Sequence, residues 1–472
     1  MGELLWLAGK AFLIALILTP IIRDVFRSYD IVDRPGQRKI HAHPMPRVGG
    51  ISIAIAYGVS LLTIGGSGVP MAASIPPAWK LIPGASLVFV TGLIDDFFSL
   101  RPAVKVLGVV AAASIVFWSG IGIGGVAHES LPVWLDYPLT VLWLLLTSNA
   151  LNLIDGLDGL CAGMGLVATL TLFLAALLHH NLPLAYATFP LAGALLGFLW
   201  YNLNPATVFL GDSGALLIGF LLGCYGMIWT QKASTLLSFL VPLLALSIPL
   251  LDVSLSVLRR FLRNQPIFSP DKGHIHHRLL DLGLSPRRAV GVLLLVAALV
   301  AAFALLASSS IGGTYQGFVI LLFCVAAWYG VRRLRYAEFD IVGRLLFRGE
   351  FQRAMDAKLR LERLTTALER ATGDEDWWNA LAKEGRTLGL VAMRWTSAGS
   401  LRYRLPIQDA TPAWSFHVPL SETDSIELEG AFDAAMPSGD LIGFAETISR
   451  TFPAARERHR QVVVEKTADA LP

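Results

Sequence analysis

The sequence predicts a polytopic all-α membrane protein carrying a small soluble α/β domain at its carboxyl end. Three observations carry that expectation. Apolar runs of about 20 residues, the length that crosses a bilayer as helix, recur from Leu4 to Tyr329. Of the 472 residues 54% are hydrophobic and 15% charged, and the mean hydropathy is +0.59, too apolar for an ordinary soluble domain. After Arg335 the composition turns charged and no further run is long enough to span.

In chain order, the runs place eleven spans at 4–22, 49–69, 79–95, 104–124, 133–151, 160–178, 184–201, 213–230, 235–257, 289–308 and 315–330. The first run lacks a short-side-chain cleavage pattern and is expected to be retained as a span. Alternating sides assigns every loop, and basic residues test the assignment. One side collects Arg23, Arg27, Arg34, Arg38, Lys39 and Arg47, then Arg259, Arg260, Arg263, Lys272, Arg278, Arg287 and Arg288, then Arg332, Arg333 and Arg335. The other side holds only Lys80 and Lys232. The positive-inside bias therefore predicts an outside amino terminus and a cytoplasmic carboxyl tail.

Residues 1–335 are expected to form the membrane domain and 345–472 the soluble one. In the latter, Ala354, Ala357, Leu361, Leu364 and Leu368 space an amphipathic helix. Four strand-like pieces (GLVAMRW, LRYRLPI, WSFHVPL, SIELEGAF) and a helix near 438–460 follow, resembling a GAF-type ligand-sensing module without a catalytic constellation. The three cysteines, Cys161, Cys224 and Cys324, lie far apart in apolar runs and support neither a disulfide framework nor a thiolate metal site. A net charge of +3 and the lack of basic tracts interleaved with aromatics exclude nucleic acid as a partner.

Five polar clusters fall on the predicted cytoplasmic side. They are DRPGQRKIHAHPMPRVGG (33–50), DDFFSLRPAVK with Asp95, Asp96 and Lys105, and NALNLIDGLDGLCAG with Asn149, Asn152, Asp155 and Asp158. YNLNPATVFLGDSGAL with Asn202, Phe209 and Asp212, and PDKGHIHHRLLDLG with Asp271, His274, His276 and His277, complete the set. Each has an ordinary explanation alone: a solvated span end, Asp-Gly turns, an aspartate helix cap, a basic topology signal, a polar loop. Together, five carboxylates (Asp95, Asp96, Asp155, Asp158, Asp212) at one membrane face are costly without a cation. Hard oxygen ligands suit Mg²⁺, which shares its shell with substrate phosphates, and the adjacent Arg, Lys and His supply donors for phosphate oxygens. Acid for metal, base for phosphate and a membrane face point to phosphoryl transfer to or from a lipid. Adjacent carboxylates raise one another's proton affinity, so one of Asp95 and Asp96 can act as a base.

The five motifs, in this order, resemble the polyprenyl-phosphate N-acetylhexosamine-1-phosphate transferases over about residues 1–335. The resemblance implies transfer of a sugar 1-phosphate from a UDP-N-acetylhexosamine to undecaprenyl (polyprenyl) phosphate, with Mg²⁺ (or Mn²⁺) and release of UMP, in the bacterial inner membrane. It implies catalytic roles for Asp95, Asp96, His274, His276 and His277, and metal binding by Asp212 and Asp155. Lys39, His43, Arg47, Lys105, Asn152, Asp155, Asp158, Asn202, Phe209 and Asp252 are the implied substrate-binding residues. The expected partners are the two substrates, the bilayer and a second copy of the chain as a homodimer. The His-Ile-His-His form is similar to enzymes handling N-acetylglucosamine 1-phosphate. Arg278 stands where the branch acting on phospho-MurNAc-pentapeptide usually carries an acid, which disfavours that alternative. Val109 replaces a common glutamine, and Lys39 stands in for a lysine many relatives carry near His43. Direct displacement and an aspartyl-phosphate route both fit. An intramembrane prenyltransferase lacks the FLGDSG and HIHH clusters. A transporter would place acids at mid-membrane, where Asp136 alone qualifies; a nonenzymatic sensor rests on the tail only.

Overall fold

A computed structural model describes residues 1–32, 44–63, 76–126, 131–231, 239–262, 273–308, 316–333, 350–387, 390–406, 413–430, 443–453 and 456–457. The chain divides into two compact units, Met1–Tyr336 and Ala337–Pro472.

The first unit is helical. Its long members are α1 (Gly2–Ser28), α2 (Gly49–Leu62), α3 (Pro76–Phe98), α4 (Pro102–Trp118), α5 (Val133–Ile154), α6 (Leu160–Leu178), α7 (Leu182–Asn202) and α8 (Gly211–Gln231). After α8 come α9 (Leu240–Ala245), α10 (Ser247–Leu262), α11 (Ile275–Asp281), α12 (Pro286–Ser308) and α13 (Gln316–Arg333). Among the described residues seven helices, α1, α3, α5, α6, α7, α8 and α12, are long and apolar enough to cross a membrane; α2 and α4 are apolar but shorter.

The expected single span at 235–257 is corrected: it is two helices, broken at Leu246. Pro249 explains the restart, because it falls in the first turn of α10, where a missing N–H costs nothing. The helix expected over 79–95 runs on to Phe98, so Asp96 as well as Asp95 lies within its last turn. Asp136 occupies the first turn of α5, where Oδ1 accepts from Gly124 N (2.7 Å) and Thr140 Oγ1 (3.1 Å).

Helix α8 is the axis of the unit. Its apolar window is wholly buried, and it packs against α2, α3, α5, α6 and α9. A Cβ at Gly219 would meet Thr147 O at 2.5 Å, so glycine lets α8 and α5 approach backbone to backbone. Phe220, Leu222, Cys224 and Tyr225 bury on every side of it. Such a helix can present polar groups only at its ends.

The second unit holds α14 (Glu350–Arg370), α15 (Asp374–Thr387), a helix over 443–453, and four strands: β1 (Leu390–Ser397), β2 (Ser400–Pro406), β3 (Trp414–Pro419) and β4 (Asp424–Gly430). The strands form one antiparallel sheet in the order β2-β1-β4-β3. Leu364 and Leu368 of the amphipathic helix pack with Trp377, Trp395, Leu428, Ile448 and Phe452, and Leu361 lies against this core. The side chains of Ala354 and Ala357 fall outside the described residues. Sequence reading missed α15; its Asp-Glu-Asp first turn followed by Trp377, Trp378 and Leu381 was the available signal.

Candidate active site

The start of α8 gathers the polar clusters. Val208–Leu210 runs extended into it, and the segment before α2 lies alongside. Phe209 N donates to Pro46 O (3.0 Å), Gly49 N to Phe209 O (2.9 Å) and Gly50 N to Leu210 O (2.8 Å). The first and fourth motifs are thereby joined backbone to backbone, with Arg47 bridged to Phe209. Lys39, His43 and Asp271 lie outside the described residues.

Asp95 and Asp96 separate at this point. Asp96 Oδ1 accepts from Asp212 N (2.7 Å) and Oδ2 from Ser213 N (3.0 Å), the first-turn amides of α8. Gly211 has φ +77°, and a Cβ there would lie 2.7 Å from Asp96 Oδ2. Glycine is needed both for the backbone conformation and for room to admit the carboxylate. Asp95 turns elsewhere: Oδ1 accepts from Leu100 N (2.6 Å), and Oδ2 accepts from Lys105 Nζ (2.8 Å). The same ammonium donates to Asp212 Oδ2 (2.5 Å), which also accepts from Asn152 Nδ2 (3.4 Å). One lysine thus serves two carboxylates, with side chains 10% (Asp95) and 23% (Asp212) exposed.

Asp155 caps the carboxyl end of α5. Burial, then the charges of Asp212 and Asp96, push its carboxyl up to about 8. Arg47 acts against them across the same space. Four of the five clusters therefore share one electrostatic neighbourhood. Among the described residues no three His, Cys, Asp or Glu side chains form a metal cage on their own.

The fifth cluster enters through His276. A Cβ on Gly156 would lie 2.5 Å from His276 Nε2, so this histidine sits directly on the Asp155-Gly156 turn. His276 is 2% exposed, and neither ring nitrogen has a hydrogen-bond partner among the described residues. Burial, then the charge of His277, push it down to about 4, so it is a neutral imidazole at physiological pH. Its ring lies parallel to that of His274 (centroids 5.6 Å) and tilted to His277 (4.4 Å).

Asp252 stands behind the histidines. It is 1% exposed; Oδ2 meets His274 Nδ1 (3.0 Å) and Oδ1 accepts from Ile275 N (2.8 Å) at the start of α11. Ser256 Oγ, which accepts from Arg259 (2.9 Å), lies 3.3 Å from the same His274 nitrogen. Asn202 and Asp158 tie loops together. Asn202 Oδ1 accepts from Gly159 N (3.2 Å), and its Nδ2 donates to Val208 O (3.0 Å). Asp158 Oδ2 accepts from Asn204 Nδ2 (2.9 Å) and Ala206 N (3.0 Å), while Asn204 Oδ1 accepts from Arg287 (2.9 Å). Ser256, Arg259, Asn204 and Arg287 went unread as site-supporting residues, since only the fold shows what they touch.

Comparison with known proteins identifies the family. The sequence profile described as Glycosyl transferase family 4 matches residues 78–230, from α3 through α8. A Bacillus subtilis protein named probable undecaprenyl-phosphate N-acetylglucosaminyl 1-phosphate transferase is 35% identical over 291 residues, covering 61% of this chain and 80% of its own. The decaprenyl-phosphate N-acetylglucosaminephosphotransferase of Mycolicibacterium smegmatis is 34% identical over 327 residues (61% of this chain, 78% of that one). The undecaprenyl-phosphate alpha-N-acetylglucosaminyl 1-phosphate transferase of Escherichia coli K12 is 30% identical over 310 residues (63% and 82%). With its motifs converging on one helix start and these relatives matched over most of their length, the chain belongs to glycosyl transferase family 4.

Proposed function

We propose that the protein transfers N-acetylglucosamine 1-phosphate, or a related N-acetylhexosamine 1-phosphate, from a UDP-sugar to undecaprenyl phosphate. The products are a polyprenyl-diphosphate-linked sugar and UMP, and the reaction begins a cell-envelope polysaccharide. The observation that carries this reading is the Asp95–Lys105–Asp212 cluster at the head of α8, walled by Asp155, Arg47 and His276. It combines acids and cations where a diphosphate and a lipid phosphate must meet, and the relatives' names supply the substrate class.

An oxygen of the lipid phosphate attacks the sugar-bound phosphorus, and the bond from that phosphorus to the UMP oxygen breaks. Asp95 takes the proton of the lipid phosphate. Lys105, released from one of its two acids as substrate phosphates arrive, neutralises charge on the transferring group. Arg47, with Lys39 and His43 of the same loop, holds phosphate oxygens. His276 and His277 border the diphosphate, His276 as a neutral N–H donor, with His274 oriented by Asp252. Phe209 and Asn152 serve the nucleotide, while Asn202 and Asp158 brace the pocket wall.

Two carboxylates on one ammonium, with a third pushed up by burial and by the charges of Asp212 and Asp96, fit a divalent cation that completes its shell with water and substrate. Asp212 and Asp155 would hold it, and Mg²⁺, or Mn²⁺ in its place, would supply charge neutralisation for the diphosphate. An outside amino terminus and a site facing the cytoplasm of a bacterial inner membrane belong to the same proposal, supported by the distribution of Arg and Lys.

The test is a panel of UDP-sugars given to the purified protein with undecaprenyl phosphate and Mg²⁺. UMP release is expected with UDP-N-acetylglucosamine or a close relative. Release with none of the panel would sink the proposal.

A further inference from the structure

The adjacent acids of GLIDDFF do different jobs, and α3 sets the division. Gly92 and Asp96 are four residues apart and share a helix face, while Asp95 is turned about 100° from Asp96. On the shared face, a Cβ at Gly92 would lie 2.5 Å from Ser213 Cα, so α3 touches the backbone of α8 there. One turn later Asp96 places both oxygens on the Asp212 and Ser213 amides. The notch left by Gly211 accommodates that carboxylate.

We infer that Asp96 is a positioning residue: it caps α8 from a neighbouring helix and so aims Asp212, leaving Asp95 as the acid that meets substrate. A capping aspartate normally comes from the residue just before a helix. Here that place is occupied by the segment that pairs with Pro46 and Gly49, and the cap arrives from α3 instead. Both oxygens of Asp96 are engaged by amides at the helix start, where the dipole favours an acceptor. Both of its partners are backbone amides fixed by the fold, whereas Asp95 Oδ2 is held by the Lys105 side chain, which arriving phosphates can draw away. Asp95, held by one amide and a shared lysine, keeps a face toward Asp212.

The inference rests on the phosphoryl-transfer reading for what Asp212 is aimed at, but the cap itself can be tested without activity. Hydrogen exchange is followed in the full-length detergent-solubilised protein, comparing wild type, Asp96→Asn and Asp95→Asn. An asparagine keeps only one acceptor oxygen, so Asp96→Asn is expected to speed exchange at 212–214 about 10-fold or more, with Asp95→Asn unchanged there. Equal exchange in all three overturns the cap. Should Asp96→Asn fail to fold, Asp96→Glu reads the same window: protection below wild type supports the cap, and wild-type protection overturns it. The pH profile of residual UMP release gives the second readout. A positioning role leaves the acid limb of Asp96→Asn where wild type has it and raises the Mg²⁺ concentration for half-activity. Loss of that limb at an unchanged Mg²⁺ requirement returns Asp96 to the role of base. If wild type releases no UMP, the reaction reading fails while the exchange result stands.

Discussion

Two carboxylates, one in each unit, are driven in opposite directions. In the membrane unit Asp155 is pushed up to about 8 by burial and by its acidic neighbours Asp212 and Asp96. In the tail unit Asp424 is 1% exposed, and burial alone would push it up too, yet it is held at about 2. Hydrogen bonds from Ser397, Ser421 and Thr423 and the Arg456 guanidinium outweigh that burial. Ser421 Oγ donates at 2.8 Å and Thr423 Oγ1 at 3.1 Å, and Trp395 Nε1 lies at 3.4 Å. Asp424 has every donor it needs from its own fold, so it serves architecture. Around Asp155 the acids Asp95, Asp96 and Asp212 outnumber the cations Lys105 and Arg47, which is the mark of a place that receives something. Burial by itself distinguishes nothing here; the completeness of the surroundings does.

The largest effect that can break this contrast comes from the acids on Lys105. Asp95→Asn or Asp212→Asn is expected to lower UMP release by about 10²–10⁴-fold, the usual worth of a positioned proton acceptor or its equivalent. Undiminished turnover in both variants would remove the site. Asp252→Asn comes next. It leaves His274 in place but weakens the contact that fixes its ring, with an expected loss of about 10–100-fold, measured as kcat with His274→Ala for reference. Chelation of divalent cations sharpens the contrast: UMP release should stop while the melting of the tail unit stays where it was.

The smallest effect on turnover is expected from the tail. Asp424→Asn removes the partner of Arg456, which is itself solvent-screened, and should destabilise the tail unit by about 1–2 kcal/mol, with UMP release within twofold of wild type. The pH dependence has a definite sign. A carboxyl lowered on folding binds fewer protons folded than unfolded, so its stabilisation is complete above the ordinary carboxylate value of about 4. It is lost as pH falls through about 2. Acid titration of tail melting should therefore show a decline below pH about 4 that Asp424→Asn flattens.

Much of the site was legible because its chemistry is written in residue types. Five ordered motifs, their glycines and their acids could be read before any fold was known. The division between Asp95 and Asp96 could not. It depends on the phase of α3 against α8, fixed by Gly92 meeting Ser213, a contact between residues 121 positions apart by their numbers. Asn202 and Asp158 read as pocket residues, yet both spend their polar atoms on backbone and loop partners. Asp252 read as a substrate-binding residue, yet its oxygens are spent on His274 and Ile275, more than 20 positions away by their numbers. The break at Leu246 was missed since Pro249 interrupts a run whose hydropathy never falters. Hydropathy reports burial in lipid or protein alike, and it is silent on where a helix restarts.

The central claim is that phosphorus, not the anomeric carbon, is attacked. The most direct measurement identifies the nucleotide released when the full-length protein is given UDP-N-acetylglucosamine, undecaprenyl phosphate and Mg²⁺. The account predicts UMP, in equal amount to a lipid carrying sugar on a diphosphate. Release of UDP, with sugar joined to the lipid through a single phosphate, would contradict it.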